Sequence, residues 1–528
     1  MVLPGLAVAT GNATFQDRCL AFTPEAHVSN STRTELQFVP AGTNLTFPDN
    51  DATCNRASQV VSVDICRATL SIPTSNRSSI TFEVWLPEVW TGRTLATGNG
   101  GIDGCIKYED IAYGVANGFA TVGTNNGHNG TRGNDFYQNE DIVIDFAWRA
   151  LHTSTVISKS LTALFYGEPL VKSYFLGCSL GGRQGIKAAE KFPEDFDGIV
   201  AGSPAVDFNN LYSWRASFFP ITGAIASPDF ISAKTWNTTI HDELLRQCDE
   251  LDGVKDGIIE DPTLCDFRPE PLLCGLCTNQ NGNCLSMVQV DMVKKVYNDY
   301  LWPNGTLMFP GMQPGSEVLA ARGLYGGSPW PTSVGWFRYA VLADPAWDAS
   351  KYNLTDASIA ATKDPGDVRT WPSSLSSFES RGGKILTYHG LQDQQITSFN
   401  SDRLYQRLAA GMGYKSERMD LFYRYFRVPG MFHCNTGPGA WVLGQGGGAA
   451  AKGIPFQPEH NVLAAMVDWV EKGVAPDSIM GTKFVGDDVG NGVAHKHRHC
   501  RYPLRSVYSG VGHDPLDENS WQCQTTEA

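Results

Sequence analysis

The chain has no apolar run approaching the roughly 20 residues that a membrane-spanning helix needs, so no membrane partner is expected. It is poor in charge, with Asp, Glu, Lys and Arg making up 18%, and short of basic residues in particular. Lys and Arg number 41 against 55 Asp and Glu, a net charge of -14. A surface of that sign repels a phosphate backbone, which removes nucleic acid from the expected partners. A complete secretory leader is also missing. Met1 to Ala9 carries no basic start and is short for an apolar leader core, so the opening reads as a truncated leader or as a chain whose leader has been removed. No internal repeat is visible. The 42% hydrophobic content excludes a disordered chain, and 528 residues are long for one core, which suggests two or three units.

Cysteine is the opposite case. Thirteen cysteines accompany eight N-x-S/T sequons, at Asn12, Asn30, Asn44, Asn76, Asn129, Asn237, Asn304 and Asn353. One sequon arises by chance. Eight in a cysteine-rich chain point to the secretory route, hence to disulfides, glycans and an extracellular location. Thirteen is odd, which leaves at least one thiol over.

Residues 60–65 and 80–86 alternate with β-branched residues and read as strands. Residues 119–124 and 174–176 read as buried strands, 140–165 and 181–192 as helices, and 198–202 as the next strand. This alternation predicts a mostly parallel sheet with helices on both faces. The pattern stops after Pro204. From 205 to 380 the chain is rich in Trp and Pro, carries Cys274, Cys277 and Cys284, and shows no clear strand alternation. It reads as an insertion on the carboxyl edge of the sheet, dividing a catalytic domain into residues 1–204 and 381–528. Strands resume at 384–388 and 421–426, a helix follows at 461–471, and Gly444 to Gly448 reads as a flexible loop.

Gly177-Cys178-Ser179-Leu180-Gly181 fits the G-x-S-x-G elbow, which sets a serine on a sharp turn between strand and helix. The flanking patterns supply that context; a serine merely capping the next helix is the plainer alternative. An elbow serine needs a histidine to take its proton. His433 stands just past the last clear strand, in a loop opened by Pro429-Gly430. Both residues have cysteine neighbours, in Cys178-Ser179 and His433-Cys434. If Ser179 and His433 meet, a Cys178–Cys434 disulfide joins the two loops. The chain order serine, acid, histidine places the carboxylate between them at a strand end. Asp393 fits; Asp344 has no strand before it, and Asp468 lies in a helix after His433. An oxyanion hole needs two backbone N–H groups. Leu180 offers one, and the glycine turn Asn99-Gly100-Gly101 offers the other through Gly100 or Gly101.

His389 reads as structural. His128, in a Gly/Asn loop, is left open as a pocket residue. His495, His497 and His499 alternate and read as a solvated strand edge, with no acidic or paired-cysteine ligand nearby to make a metal site. The segment 248–258 concentrates carboxylates and glycines, a calcium-type loop without EF-hand spacing. Asp249, Asp252 and Asp256 supply side chains, and Val254 and Ile258 carbonyls; an acidic solvated turn is the alternative. A Cys248–Cys265 bridge would close it. Calcium there is structural, and no organic cofactor is expected.

Together these residues resemble the fungal tannase and feruloyl esterase family, from about Cys19 to Cys523. The resemblance rests on Cys178-Ser179, Asp393, His433-Cys434 and the loop of Asp249, Asp252, Val254, Asp256 and Ile258. It implies an α/β-hydrolase core with a large lid domain, secretion, and hydrolysis of phenolic esters. It also implies the bridges Cys19–Cys66, Cys54–Cys105, Cys178–Cys434, Cys248–Cys265 and Cys500–Cys523, with Cys284 joined to Cys274 or Cys277. Leu180, where tannases tend to have an acidic residue, makes the chain look closer to the feruloyl esterase B type. The expected activity is release of ferulate, caffeate or p-coumarate from plant cell-wall esters or feruloylated oligosaccharides. The alternatives are a tannase acting on gallate esters, and a non-catalytic, calcium-dependent glycan-binding protein on a hydrolase scaffold. The complete Ser/Asp/His set argues against the last.

Overall fold

The computed structural model describes residues 14–275 and 284–525. Nine strands form one sheet. They are β1 (Thr32–Val39), β2 (Ile65–Pro73), β3 (Ser79–Pro87), β4 (Arg93–Thr97), β5 (Ala120–Thr124), β6 (Lys172–Cys178), β7 (Gly198–Gly202), β8 (Lys384–Gly390) and β9 (Tyr423–Val428). Their spatial order is β1-β2-β3-β5-β4-β6-β7-β8-β9. The first three pair antiparallel, as does β3 with β5; from β5 to β9 every pair is parallel. β5 to β7 are buried at every position or nearly so, the continuous apolar reading of strands covered on both faces. The cover comes from α1 (Tyr108–Ala116), α2 (Ala150–Tyr166), α3 (Leu180–Lys191), α5 (Phe399–Met412) and α6 (Val462–Lys472). This is the α/β-hydrolase arrangement expected from the sequence.

The consequence for function is positional. β4, β6, β7, β8 and β9 run the same way, so Thr97, Cys178, Gly202, Gly390 and Val428 all end at one edge. In open parallel sheets that edge is where sites are built.

Between β7 and β8 the chain leaves the sheet. Residues 203–383 hold α4 (Phe208–Thr222), further helices and a two-stranded hairpin of Tyr300–Leu301 with Leu307–Phe309. Trp214, Trp236, Trp336 and Tyr325 are fully buried in a separate apolar cluster that also takes in Ile102, Leu180 and Ile396 from the carboxyl edge of the sheet. The tryptophans that blur strand periodicity there are the packing of this layer.

Two local readings differ. Residues 60–65 do not form one strand: a short strand ends at Val60 and β2 starts at Ile65. The chain bends between them, where the Asp64 carboxylate accepts from the Ala41 N–H at 2.7 Å. The Gly444 to Gly448 loop is packed against α1, not free. The Gly447 N–H donates to Asp110 at 2.7 Å, and a Cβ on Gly447 would stand 2.0 Å from the Glu109 carbonyl oxygen.

The disulfides are Cys19–Cys66, Cys54–Cys105, Cys178–Cys434, Cys248–Cys265, Cys274–Cys284 and Cys500–Cys523. The choice left open at Cys284 falls to Cys274. Cys277, Asn12 and residues 1–9 lie outside the described residues.

Candidate active site

β6 delivers Ser179 to the carboxyl edge at φ 66°, ψ -121°. A non-glycine residue in such a conformation costs of order 1–3 kcal/mol and persists only where its surroundings fix it. Here the Ser179 N–H donates to Gly202 at 2.9 Å, and the Ser179 carbonyl accepts from Arg183 at 3.1 Å and Ala205 at 3.0 Å. The glycines around the serine are sterically required. A Cβ on Gly177 would lie 2.9 Å from the Gly181 backbone, and one on Gly182 2.3 Å from the Gly202 carbonyl oxygen.

His433 and Asp393 come from the loops after β9 and β8. His433 Nδ1 lies 2.7 Å from Asp393 Oδ2 and Nε2 lies 2.9 Å from Ser179 Oγ. The aspartate accepts only, so Nδ1 carries the proton and Nε2 is left to accept from the serine hydroxyl. The structure thus brings Ser179, His433 and Asp393 into one hydrogen-bonded line. Cys178 and Cys434 are bonded beside it, with Cα atoms 6.0 Å apart. Asp393 Oδ1 accepts from the N–H groups of Gln395 (2.7 Å) and Ile396 (2.9 Å). Burial alone would raise this carboxyl; the His433 and His389 imidazoles outweigh burial and hold it well below the usual carboxylate range. Asp344 caps a turn at Ala346, and Asp468 pairs with Lys472; neither reaches His433.

Of the oxyanion candidates, the Leu180 N–H finds no acceptor among the described residues. Gly100 is a correction: its N–H is committed to Asp103 Oδ1 at 3.1 Å. The Gly101 N–H, at φ 49°, finds no acceptor among the described residues, while the Gly101 carbonyl accepts from the Tyr212 hydroxyl at 3.1 Å. The turn abuts the elbow, since the Gly181 N–H donates to the Asn99 carbonyl at 3.0 Å.

Some residues of the site gave no sequence signal. Gln392 joins three loops: Nε2 donates to the Ile259 carbonyl at 2.9 Å, Oε1 accepts from Gly430, and its own N–H donates to Met431 at 3.1 Å. The Gln394 side chain accepts from the His433 N–H at 3.0 Å. Tyr212, on α4, closes the site from the inserted layer. Only the adjacency of Gln392 and Gln394 to Asp393 could have drawn attention to them. His128 is buried against Phe136 and Phe146, with Nε2 2.9 Å from the Ile102 carbonyl, and is a packing residue.

The acidic loop lies across Gln392 from the triad. Asp249 Oδ1 accepts from Gly257, Asp252 Oδ1 from Val254 and Asp256 Oδ1 from Ile258, each at 2.9 Å. Burial, reinforced by neighbouring carboxylates, pushes Asp252 up to about 7 and Glu260 up to about 8. Lys255 pairs with Glu250, and Arg427 and Arg505 with Asp261, but Asp249, Asp252 and Asp256 have no ion-pair partner among the described residues. Among the described residues no three Asp, Glu, His or Cys side chains converge closely enough to hold a metal by themselves. An ion here would draw on the Val254 and Ile258 carbonyls as well, the mixed oxygen set that suits calcium.

His497 and His499 correct the reading of a solvated edge. They share one face of the strand Val493–Cys500, and that face is buried against Trp521, Glu260 and the Ala440 carbonyl. Burial pushes His497 down to about 4 and His499 to about 3. Unfolded, each titrates near 6.5. Below that pH the unfolded chain takes up protons that the folded state refuses, so stability is full above 6.5 and declines as pH falls toward 4. That loss is the histidines' own share, opposed by the raised Asp252 and Glu260 carboxyls, so it is read as a difference: His499→Gln should cost less melting temperature relative to wild type at about pH 4.5 than at about pH 7.

Comparison with known proteins gives one result at every level. The family described as tannase and feruloyl esterase matches residues 66–523. A probable feruloyl esterase B-2 of Aspergillus flavus is 57% identical over 500 residues, covering 95% of each chain. The crystal structure of feruloyl esterase B from Aspergillus oryzae superposes with a TM-score of 0.92 at 45% identity, over 97% of this chain and 100% of the other. A tannin acyl hydrolase from Aspergillus niger superposes at 0.73 with 20% identity, over 97% and 95%, a likeness of fold alone.

Proposed function

The chain belongs to the tannase and feruloyl esterase family, and from that premise we propose that it is a secreted serine carboxylic ester hydrolase releasing hydroxycinnamic acids from plant-derived phenolic esters. The observation that carries the reading is the unbroken line from Ser179 Oγ through His433 to Asp393. Ser179 attacks the ester carbonyl while His433 Nε2 takes its proton. Asp393 balances the imidazolium. The Leu180 and Gly101 N–H groups receive the oxyanion. His433 returns the proton to the departing alcohol, and water then cleaves the acyl-enzyme by the same route. The identity to feruloyl esterase B relatives, against 20% to the tannin acyl hydrolase, favours a hydroxycinnamate over a gallate acyl group. Methyl ferulate, caffeate, p-coumarate and gallate assayed on one sample test this. Turnover of the cinnamates at least about tenfold above gallate is expected, a difference of about 1.4 kcal/mol; preference for gallate would make it a tannase. Inertness toward all four with no fluorophosphonate adduct would favour the calcium-dependent glycan binder. The six disulfides support secretion, and the sequons support glycosylation.

Calcium at Asp249, Asp252, Val254, Asp256 and Ile258 belongs to the same proposal. Bound there, it would offset the crowded carboxylates and stiffen the loop whose Ile259 carbonyl holds Gln392. A chelator is expected to lower the melting temperature, and added calcium to restore it. At one hundred times its dissociation constant the ion would stabilise by about 2.7 kcal/mol. A melting curve indifferent to chelator would remove calcium from the account.

A further inference from the structure

We infer that His389 is a positioning residue: it shares the Asp393 oxygen that faces His433 and so sets how strongly the aspartate holds the catalytic imidazole. The inference rests on the triad reading above. His389 lies in β8 and is fully buried. Its Nε2 stands 3.2 Å from Asp393 Oδ2 and 3.1 Å from the Ile396 carbonyl. A carbonyl can only accept, so Nε2 carries a proton and points it at both. Asp393 Oδ2 is also the atom that accepts from His433 Nδ1 at 2.7 Å. Two imidazole N–H groups therefore converge on one carboxylate oxygen, while the other oxygen is held by the Gln395 and Ile396 amides. The ring cannot turn away, because Nδ1 lies 2.7 Å from Ser401 Oγ on α5.

A histidine that served packing alone could satisfy itself on Ile396 and Ser401. This one is aimed at the anion that balances the imidazolium during turnover. A second donor draws part of the charge of Oδ2 away from His433, and it fixes the carboxylate plane that the Nδ1 bond needs. Charged groups face the pair from three neighbouring elements. On β9, Arg427 is paired in register with His389 and lies near Asp402. Asp402 faces His389 from α5. From α4, Arg215 lies near Asp393, with its Nε donating to the Gln395 carbonyl at 2.9 Å. Removing the His389 donor should leave the full charge of Oδ2 to His433, strengthening its hold on a proton. The acidic limb of the pH–rate profile should then move to higher pH.

The test is kcat/KM for methyl ferulate against pH in wild type, His389→Leu and His389→Gln, with competent enzyme counted by fluorophosphonate labelling. The leucine variant is expected to lose about tenfold in kcat/KM, with its acidic limb about half to one pH unit higher. The glutamine variant keeps an N–H donor and should return the limb to the wild-type position. An unmoved limb in the leucine variant, whatever its rate, would reduce His389 to a packing residue. An equal shift in both variants would also overturn the inference. If the leucine variant does not fold, Ser401→Ala, which frees the ring, should shift the limb the same way by less; no shift there counts against the proposal. Failure of wild type to label would instead undo the triad beneath it.

Discussion

Ser179→Ala should lower kcat by about 10⁴–10⁶ while leaving the melting temperature close to wild type. The size follows from what the hydroxyl does: without it no acyl-enzyme forms, and only the oxyanion donors and substrate binding remain. Alanine can hold the φ of 66° at Ser179 because the Gly202, Arg183 and Ala205 backbone bonds fix it, and none of them uses the side chain. A fluorophosphonate should add one adduct to wild type, on Ser179, and none to the variant. Retention of more than about a hundredth of wild-type kcat would place the nucleophile elsewhere, since loss of a triad nucleophile is far costlier.

The second large effect is expected from Cys178→Ser with Cys434→Ser. The bridge spans a sequence separation of 256, and the chain-entropy account gives at most about 5.6 kcal/mol for a loop of that size, less where other bridges already constrain the unfolded chain. The loss of activity should exceed what stability alone explains. Two strained residues lie at the bridge: Ser179, next to Cys178, at φ 66° and the bridge residue Cys434 itself at φ 64°. The bridge holds both turns in that state, and the 2.9 Å contact between His433 and Ser179 depends on their spacing. Misplacement by about 1 Å commonly costs a hundredfold in rate. A folded double-serine variant should therefore show kcat down by about that factor, with its melting temperature lowered too. Wild-type kcat in that variant would mean that the hydrogen bonds of Gln392 and Gln394, with the Gln445 amide donating to the Cys434 carbonyl at 3.3 Å, suffice to seat the histidine loop.

Much of this is legible in the sequence alone. The elbow is a local motif whose geometry dictates its residues, and the cysteines beside Ser179 and His433 carried the long-range pairing. Asp393 followed from chain order and strand ends. What stayed hidden depends on which face of an element meets which neighbour. The alternation of His495, His497 and His499 put them on one face of a strand, yet nothing local says that Trp521 and Glu260 cover that face. His389 shows a strand histidine, but its second role exists only because the loop after it turns Asp393 back beneath its ring. Gly100 and Gly101 were equivalent in the sequence; Asp103, reaching back to cap the turn, uses one amide and leaves the other. The break after Pro204 marked where the inserted layer starts, and its tryptophans gave no hint that Tyr212 reaches the glycine turn.

The bridge beside the nucleophile has a topological consequence. Cys178 and Cys434 close a covalent ring that contains the whole excursion between β7 and β8. A protease cutting once anywhere inside that ring would yield two polypeptides still fastened at the site of chemistry. Such a nicked molecule would migrate as one species until reduced, and its serine and histidine, now on separate chains, would still face each other.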